Sequence, residues 1–393
     1  MLIKAASLIK RWALPLITVI GTGLVGAVCI ALMTSGKVSF INADAVARFA
    51  IFIAFQVLGL TLVKAGLDSY VFAQASTRSI DKLYNLQQVF RTNIFRVWVV
   101  FSIGGYFVLE GWLSAVVCSF SVLCDVYAAV RIAEFTARSQ FRIVAVANLT
   151  KYPLYFLLLF IAGAFLAIGY DDLLYLFLFV SFFRFLLLFA ISTRFSLQLL
   201  PIYSFGLLGA QQVFNYLLFR LDQVSISFLS RSMPELDATG LSNFVFLTKY
   251  PELVSYFAAA LGSIVFPTLL IRWGHNYRDS RRERWFINIG LIILSGLGLL
   301  IYVETLHDEL DIGFSFLPLV LAACLSFEVN FATFRMLADN SFKRLLTGLG
   351  MGVLFGIIFA AYAENTQSIK IIYWIVPAQM MIFLMVCNRI GYV

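Results

Sequence analysis

Charge is what this sequence has least of: Asp, Glu, Lys and Arg make up 13% of its 393 residues, against 61% hydrophobic residues. That ratio cannot cover a soluble surface, so an aqueous globular domain is excluded before any motif is read. Histidine is nearly absent. His275 and His307 stand in loops far apart, which leaves a His-based metal site or His-based acid–base chemistry without support. The five cysteines, Cys29, Cys118, Cys124, Cys324 and Cys387, fall singly in apolar windows with no paired spacing. They read as packing residues, without disulfide or zinc chemistry. Long polar stretches are missing too. The acidic breaks Asp171-Asp172 and "ETLHDELD" (Glu304 to Asp311) are solvated connections, too short to fold into a catalytic domain. No catalytic residue, metal or cofactor is implied.

What the sequence has in quantity is apolar length. A bilayer core takes ~20 apolar residues per helix, and windows of that size recur along the whole chain. They predict about twelve spans, near residues 12–33, 46–74, 94–109, 112–130, 143–169, 173–191, 201–230, 243–271, 286–303, 313–334, 345–363 and 371–388. The first, Trp12 to Met33, follows Lys4, Lys10 and Arg11 as a secretion signal would, but exceeds the ~7–15 apolar residues of a cleavable core and reads as a retained helix. An even number of spans puts both termini on one side. Twenty basic residues fall on that side, and only Lys37, Arg48, Arg231 and Lys370 fall opposite, so both termini are expected in the cytoplasm. The net charge of +8 is then an orientation signal. The tract "RDSRRERW" (Arg278 to Trp285) reads as an inner-face anchor beside anionic lipid heads, and no nucleic-acid partner is expected.

Two halves can be aligned. Phe49 corresponds to Phe244 and Gly66 to Gly262, offsets close to half the chain. The expected fold is an all-α polytopic membrane protein with two six-helix lobes, residues 1–197 and 198–393, around a central cavity.

Ionisable residues at membrane depth are functional candidates, because each unpaired charge there costs ~3 kcal/mol or more. They are Lys64, Asp68, Asp125, Lys151, Arg184, Arg220, Asp222, Lys249, Glu252 and Glu328. Arg220 and Asp222 are two positions apart and point to different sides of a helix, so their partners come from elsewhere. In an antiparallel hairpin, equal depth pairs Asp222 with Lys249 and Arg220 with Glu252, and a four-residue network is expected. It either fixes the register of two helices or faces a hydrated cavity. Pro251, which removes a backbone donor and kinks helices, adds weight to the cavity. Arg184 has no carboxylate within helical reach; it snorkels to the cytoplasm or supplies a cavity cation. Lys151 and Lys64 share that ambiguity, and Asp68 lies one turn from Lys64. Glu328 suits a proton-coupling site or a hydrogen-bonded structural acid.

At "FRLDQVSISFLS" (Phe219 to Ser230), the short loop holding Gly240, and "FVFLTKYPELVSYFAAALGSIVFPTLL" (Phe244 to Leu270) with its Phe266-Pro267 ending, the chain resembles the multidrug/oligosaccharidyl-lipid/polysaccharide exporter superfamily, specifically its O-antigen and polysaccharide flippases. The opening hairpin, 12–74, is similar more weakly, and Phe244 stands where members often carry a tyrosine. The resemblance implies a monomeric, two-lobed transporter of the bacterial inner membrane and no enzyme. It would turn an undecaprenyl-pyrophosphate-linked oligosaccharide from the inner to the outer leaflet by alternating access, with H+ or Na+ as a coupling ion. Arg220, Arg184, Lys249, Lys64 and Lys151 would then contact the substrate, and Asp222, Glu252, Glu328 and Asp68 would serve the cavity or the coupling. Two other readings compete. A drug antiporter of the same superfamily generally uses acids in the cavity of its first half, and "WALPLITVIGTGLVGAVCIALM" (Trp12 to Met33) has none. A multipass glycosyltransferase or polysaccharide polymerase would present acidic or arginine-rich outer loops, for which only "ETLHDELD" qualifies.

Overall fold

The computed structural model describes residues 22–67 apart from 23, 36 and 65; 95–191 apart from 110 and 139; 202–229; 239–255; and 281–389 apart from 307–309, 311, 339 and 340. Among these residues the regular structure is helical and contains no strand. In chain order the helices are α1 (Leu24–Thr34), α2 (Ala43–Lys64), α3 (Phe95–Val108), α4 (Gly111–Ala137), α5 (Phe141–Leu149), α6 (Tyr152–Gly163) and α7 (Tyr170–Ala190). They continue with α8 (Ile202–Leu229), α9 (239–255), α10 (Arg281–Leu306), α11 (Gly313–Ala338), α12 (Phe342–Thr366), α13 (Ile369–Ile372) and α14 (Ile375–Arg389). Among the described residues eight helical stretches are long and apolar enough to cross a membrane, which makes this a multi-pass membrane protein.

Two expected spans are each broken in two, and a proline explains both breaks. Pro153 has no N–H to give Leu149, and its ring crowds that carbonyl, so 141–163 divides at Thr150 and Lys151. Pro377 acts likewise on 369–387, which divides at Tyr373 and Trp374. By contrast α9 continues through Pro251 and α11 through Pro318. Where lipid is the solvent, apolar side chains turn outward: along α10, Leu294, Leu297 and Ile301 are all more than half exposed.

The chain forms two compact units, Met1–Gly26 with Arg48–Val213, and Ala27–Ala47 with Phe214–Val393. In the first, α4 packs against α3, α5 and α7. An aromatic core joins α2, α6 and α7: Phe49 stacks on Tyr155 at 5.3 Å, and Phe177 meets Phe49, Phe52 and Tyr155 edge-on at 5.6–5.9 Å. Such pairs contribute about 0.5–1.5 kcal/mol each beyond their buried area. In the second, α14 packs against α12 and α11. Lipid tails supply no hydrophobic drive between helices, so close approach of small residues carries this packing. A Cβ on Gly348 would come within 2.6 Å of Cys387 Sγ, one on Gly352 within 3.0 Å of the Gln379 carbonyl, and one on Gly356 would overlap the Gln379 amide. Segment 27–47 is held here by Ser242 Oγ donating to the Thr34 carbonyl at 3.1 Å and Lys37 Nζ donating to the Thr305 carbonyl at 2.5 Å.

Candidate functional site

Each unit buries an ionic cluster deep among its apolar helices. In the first unit the centre is Asp125, 1% exposed, near the middle of α4. Its Oδ2 accepts from Lys151 Nζ at 3.0 Å and from Gln56 Nε2 at 2.9 Å, and its Oδ1 accepts from Arg184 Nη1 at 3.1 Å. The aromatic core positions these donors. Gln56 lies one turn beyond Phe52 on α2, Lys151 one turn before Tyr155, and Arg184 two turns beyond Phe177 on α7, all helical same-face spacings.

The break at Pro153 completes the site. Were the helix continuous, the Ala147 carbonyl would accept from the Lys151 N–H. That N–H bonds the Asn148 carbonyl instead, at 3.2 Å. The freed Ala147 carbonyl accepts from Arg184 Nε at 2.8 Å and from Thr150 Oγ1 at 3.0 Å. Arg184 therefore does two jobs with one planar fork: it pairs Asp125 and caps the exposed C-terminal end of α5, where a cation is favoured. The snorkelling alternative for Arg184 does not hold, since it is 7% exposed and bonded inward. Formally the cluster carries two cations and one anion.

In the second unit the centre is Glu252 on α9. Its Oε2 accepts from Arg220 Nη1 and, at 2.6 Å, from Lys249 Nζ one turn earlier. Arg220 Nη1 also donates to Gln223 Oε1 at 3.2 Å. Arg220 thus pairs with Glu252, as equal depth in a hairpin predicts, but Lys249 goes to Glu252 and not to Asp222. The reason is local: three residues along one helix place Lys249 and Glu252 on the same face. Asp222 is buried and its Oδ1 accepts the Gln223 backbone N–H at 2.8 Å; among the described residues it has no ion pair. Arg220, Asp222, Gln223, Thr248, Glu252 and Tyr373 line a cavity of about 30 Å³, enough for one or two waters. Tyr373 comes from the second helix break and rests on Phe244 at 5.2 Å.

The remaining expected residues are more dispersed. Lys64 ends α2 and is half-buried, and Asp68 lies outside the described residues. Glu328, half-buried on α11, stands two residues past Ser326, which also lines the cavity. Arg131, one of the twenty basic residues expected at the inner face, is 1% exposed, with Nη1 on Glu134 Oε2 at 2.5 Å; Arg138 takes the other oxygen at 2.7 Å. Among the described residues no cluster of His, Cys, Asp and Glu could hold a metal ion.

Sequence reasoning missed Asp125 as the shared acceptor and Gln56 as its third donor. In the structure Asp125 and Arg184 each stand fourteen residues past a helix start, Gly111 and Tyr170, a match that the expected spans 112–130 and 173–191 do not give.

No family model matches the sequence, nor does any curated protein. A solved chain described as "protein A" shares the fold: it aligns with a TM-score of 0.60 at 15% identity, over 97% of this chain and 95% of that one. Two further solved chains align over nearly their full lengths. "Crystal structure of MATE in the bent conformation" has a TM-score of 0.49 at 11% identity, covering 98% of this chain and 95% of that one. "Outward-facing conformation of a multidrug resistance MATE family transporter of the MOP superfamily" has a TM-score of 0.46 at 12% identity, covering 96% of each.

Proposed function

We propose that this protein is a transporter that moves an anionic, lipid-linked sugar head group, an undecaprenyl-pyrophosphate-linked oligosaccharide, from the cytoplasmic to the outer leaflet of the bacterial inner membrane by alternating access. One observation carries the reading: in each unit two cations, one of them buried and one partly buried, share a single carboxylate among apolar helices, Lys151 and Arg184 on Asp125, and Arg220 and Lys249 on Glu252. A helix bundle that needed only register would gain more from apolar contacts, since buried ion pairs are costly to desolvate and often replaceable without loss. Paired cations suit an incoming phosphate. Arginine offers a planar fork to its oxygens, lysine a movable point charge, and both contacts strengthen out of water. In this reading Lys64 adds a further substrate contact, and Glu328 and Asp68 join Asp222 and Glu252 in coupling to H+ or Na+. The protein acts as a monomer with both termini in the cytoplasm.

The test is reconstitution into vesicles with a lipid-linked oligosaccharide, followed by an assay of which leaflet holds the sugar. Wild type is expected to equilibrate or pump the lipid, and Arg220→Ala to insert but not transport. Hydrolysis or polymerisation of the sugar would favour an enzyme.

A second reading has its own observation. Asp222, without an ion pair among the described residues, faces the small cavity together with Glu252. Buried acids of that kind suit a proton- or cation-coupled drug antiporter. Efflux of a lipophilic cation from the same vesicles, lost in Asp222→Asn, would select it.

A further inference from the structure

We propose that Lys151 is a transferable cation, handed from Asp125 to an anionic group of the cargo, while Arg184 and Gln56 stay behind to keep Asp125 satisfied. The inference rests on the transport reading above and assigns the parts of its first-unit site.

Asp125, Lys151 and Arg184 together carry one uncompensated positive charge in a low-dielectric region, which is unfavourable unless an anion shares it. The three donors on Asp125 are not equivalent. Arg184 is tied twice, to Oδ1 and to the Ala147 carbonyl, and leaving would cost both bonds and the cationic cap of α5, with only the Thr150 hydroxyl left on that carbonyl. Lys151 is tied to Oδ2, its ammonium also lying 5.0 Å from the Tyr152 ring. Its side chain is the most accessible of the three charged groups, at 14% against 8% for Arg184 and 1% for Asp125.

Departure of Lys151 orphans nothing. Gln56 Nε2 already donates to the same Oδ2 that lysine would vacate, at 2.9 Å. What remains is a neutral Asp125–Arg184 pair, and Lys151 with one anionic oxygen group forms a second. A buried excess charge thus becomes two matched pairs, which favours binding by a phosphate-like anion and disfavours a cationic cargo. The backbone permits the exchange, because Lys151 sits at the helix break and not inside a continuous turn. Gln56 has the matching asymmetry: its Oε1 is buried and has no hydrogen-bond partner, so its amide is held in place by Asp125 alone.

The experiment measures binding of inorganic pyrophosphate to the full-length protein in detergent by calorimetry, alongside thermal unfolding. Wild type should bind. Lys151→Gln should bind at least ~10-fold more weakly, and Lys151→Arg should recover to within ~3-fold of wild type. Gln56→Leu should weaken binding about 2–5-fold, since the vacated oxygen then has no substitute donor. Lys151→Gln should unfold at a temperature no lower than wild type, because the cluster becomes neutral. The inference is overturned if wild type does not bind pyrophosphate, if Lys151→Gln binds it as wild type does, or if Lys151→Gln loses stability or fails to fold, which would make Lys151 a clamp. The assay contains no lipid, sugar or transport. Lys151-dependent pyrophosphate binding without leaflet exchange would sink the flippase reading alone, and leaflet exchange without that dependence would sink only this inference.

Discussion

The two buried clusters use the same parts and are built differently. In the first unit four helices contribute: Gln56 from α2, Asp125 from α4, Lys151 from the junction of α5 and α6, and Arg184 from α7. In the second unit the ion pairs come from the consecutive helices α8 and α9, two of the three charges lying one turn apart. The first holds an extra cation. The second, counting Asp222, is neutral. The lesson is that a carboxylate with two cations can be a cross-brace for a whole bundle or a local staple, and only the helices supplying the partners tell them apart.

The largest expected effect comes from removing the shared acid. Asp125→Asn leaves two buried cations on one neutral amide and should cost about 3–5 kcal/mol, seen as loss of folded protein in detergent. Glu252→Gln, with Asp222 still nearby and Arg220 partly exposed, should cost less; equal losses would erase the distinction. Next is Arg184→Lys, which keeps the charge but cannot serve Asp125 and the Ala147 carbonyl together. About 1–3 kcal/mol should disappear from the unfolding free energy. The lysines separate the clusters more finely. Lys249→Gln leaves an excess negative charge and should lower the unfolding temperature, whereas Lys151→Gln removes an excess positive one and should not. Smallest is the pair of glutamines: Gln223→Leu and Gln56→Leu should each change stability by under ~1 kcal/mol. Only the second should touch pyrophosphate affinity.

The sequence announced the all-helical membrane class and most helix positions, because apolar length is a strong signal and the bilayer permits few alternatives. It announced Arg220 with Glu252 because a hairpin fixes depth from numbering alone. It did not announce Lys249 on Glu252, where helical neighbours outcompete the cross-hairpin partner, nor the Asp125 centre, whose partners are 26, 59 and 69 residues away and converge only once helices pack. Proline was the other blind spot. At Pro251 the helix continues, while Pro153 and Pro377, unremarked in their apolar windows, divide theirs.

The carbonyl of Ala147 ties two distant positions into one unit of inheritance. If position 153 were alanine, the Lys151 N–H could take that oxygen and the Arg184 fork would lose one of its two partners; if Arg184 were lost first, the carbonyl would keep only the Thr150 hydroxyl. Homologous chains should therefore change these two positions together, or neither.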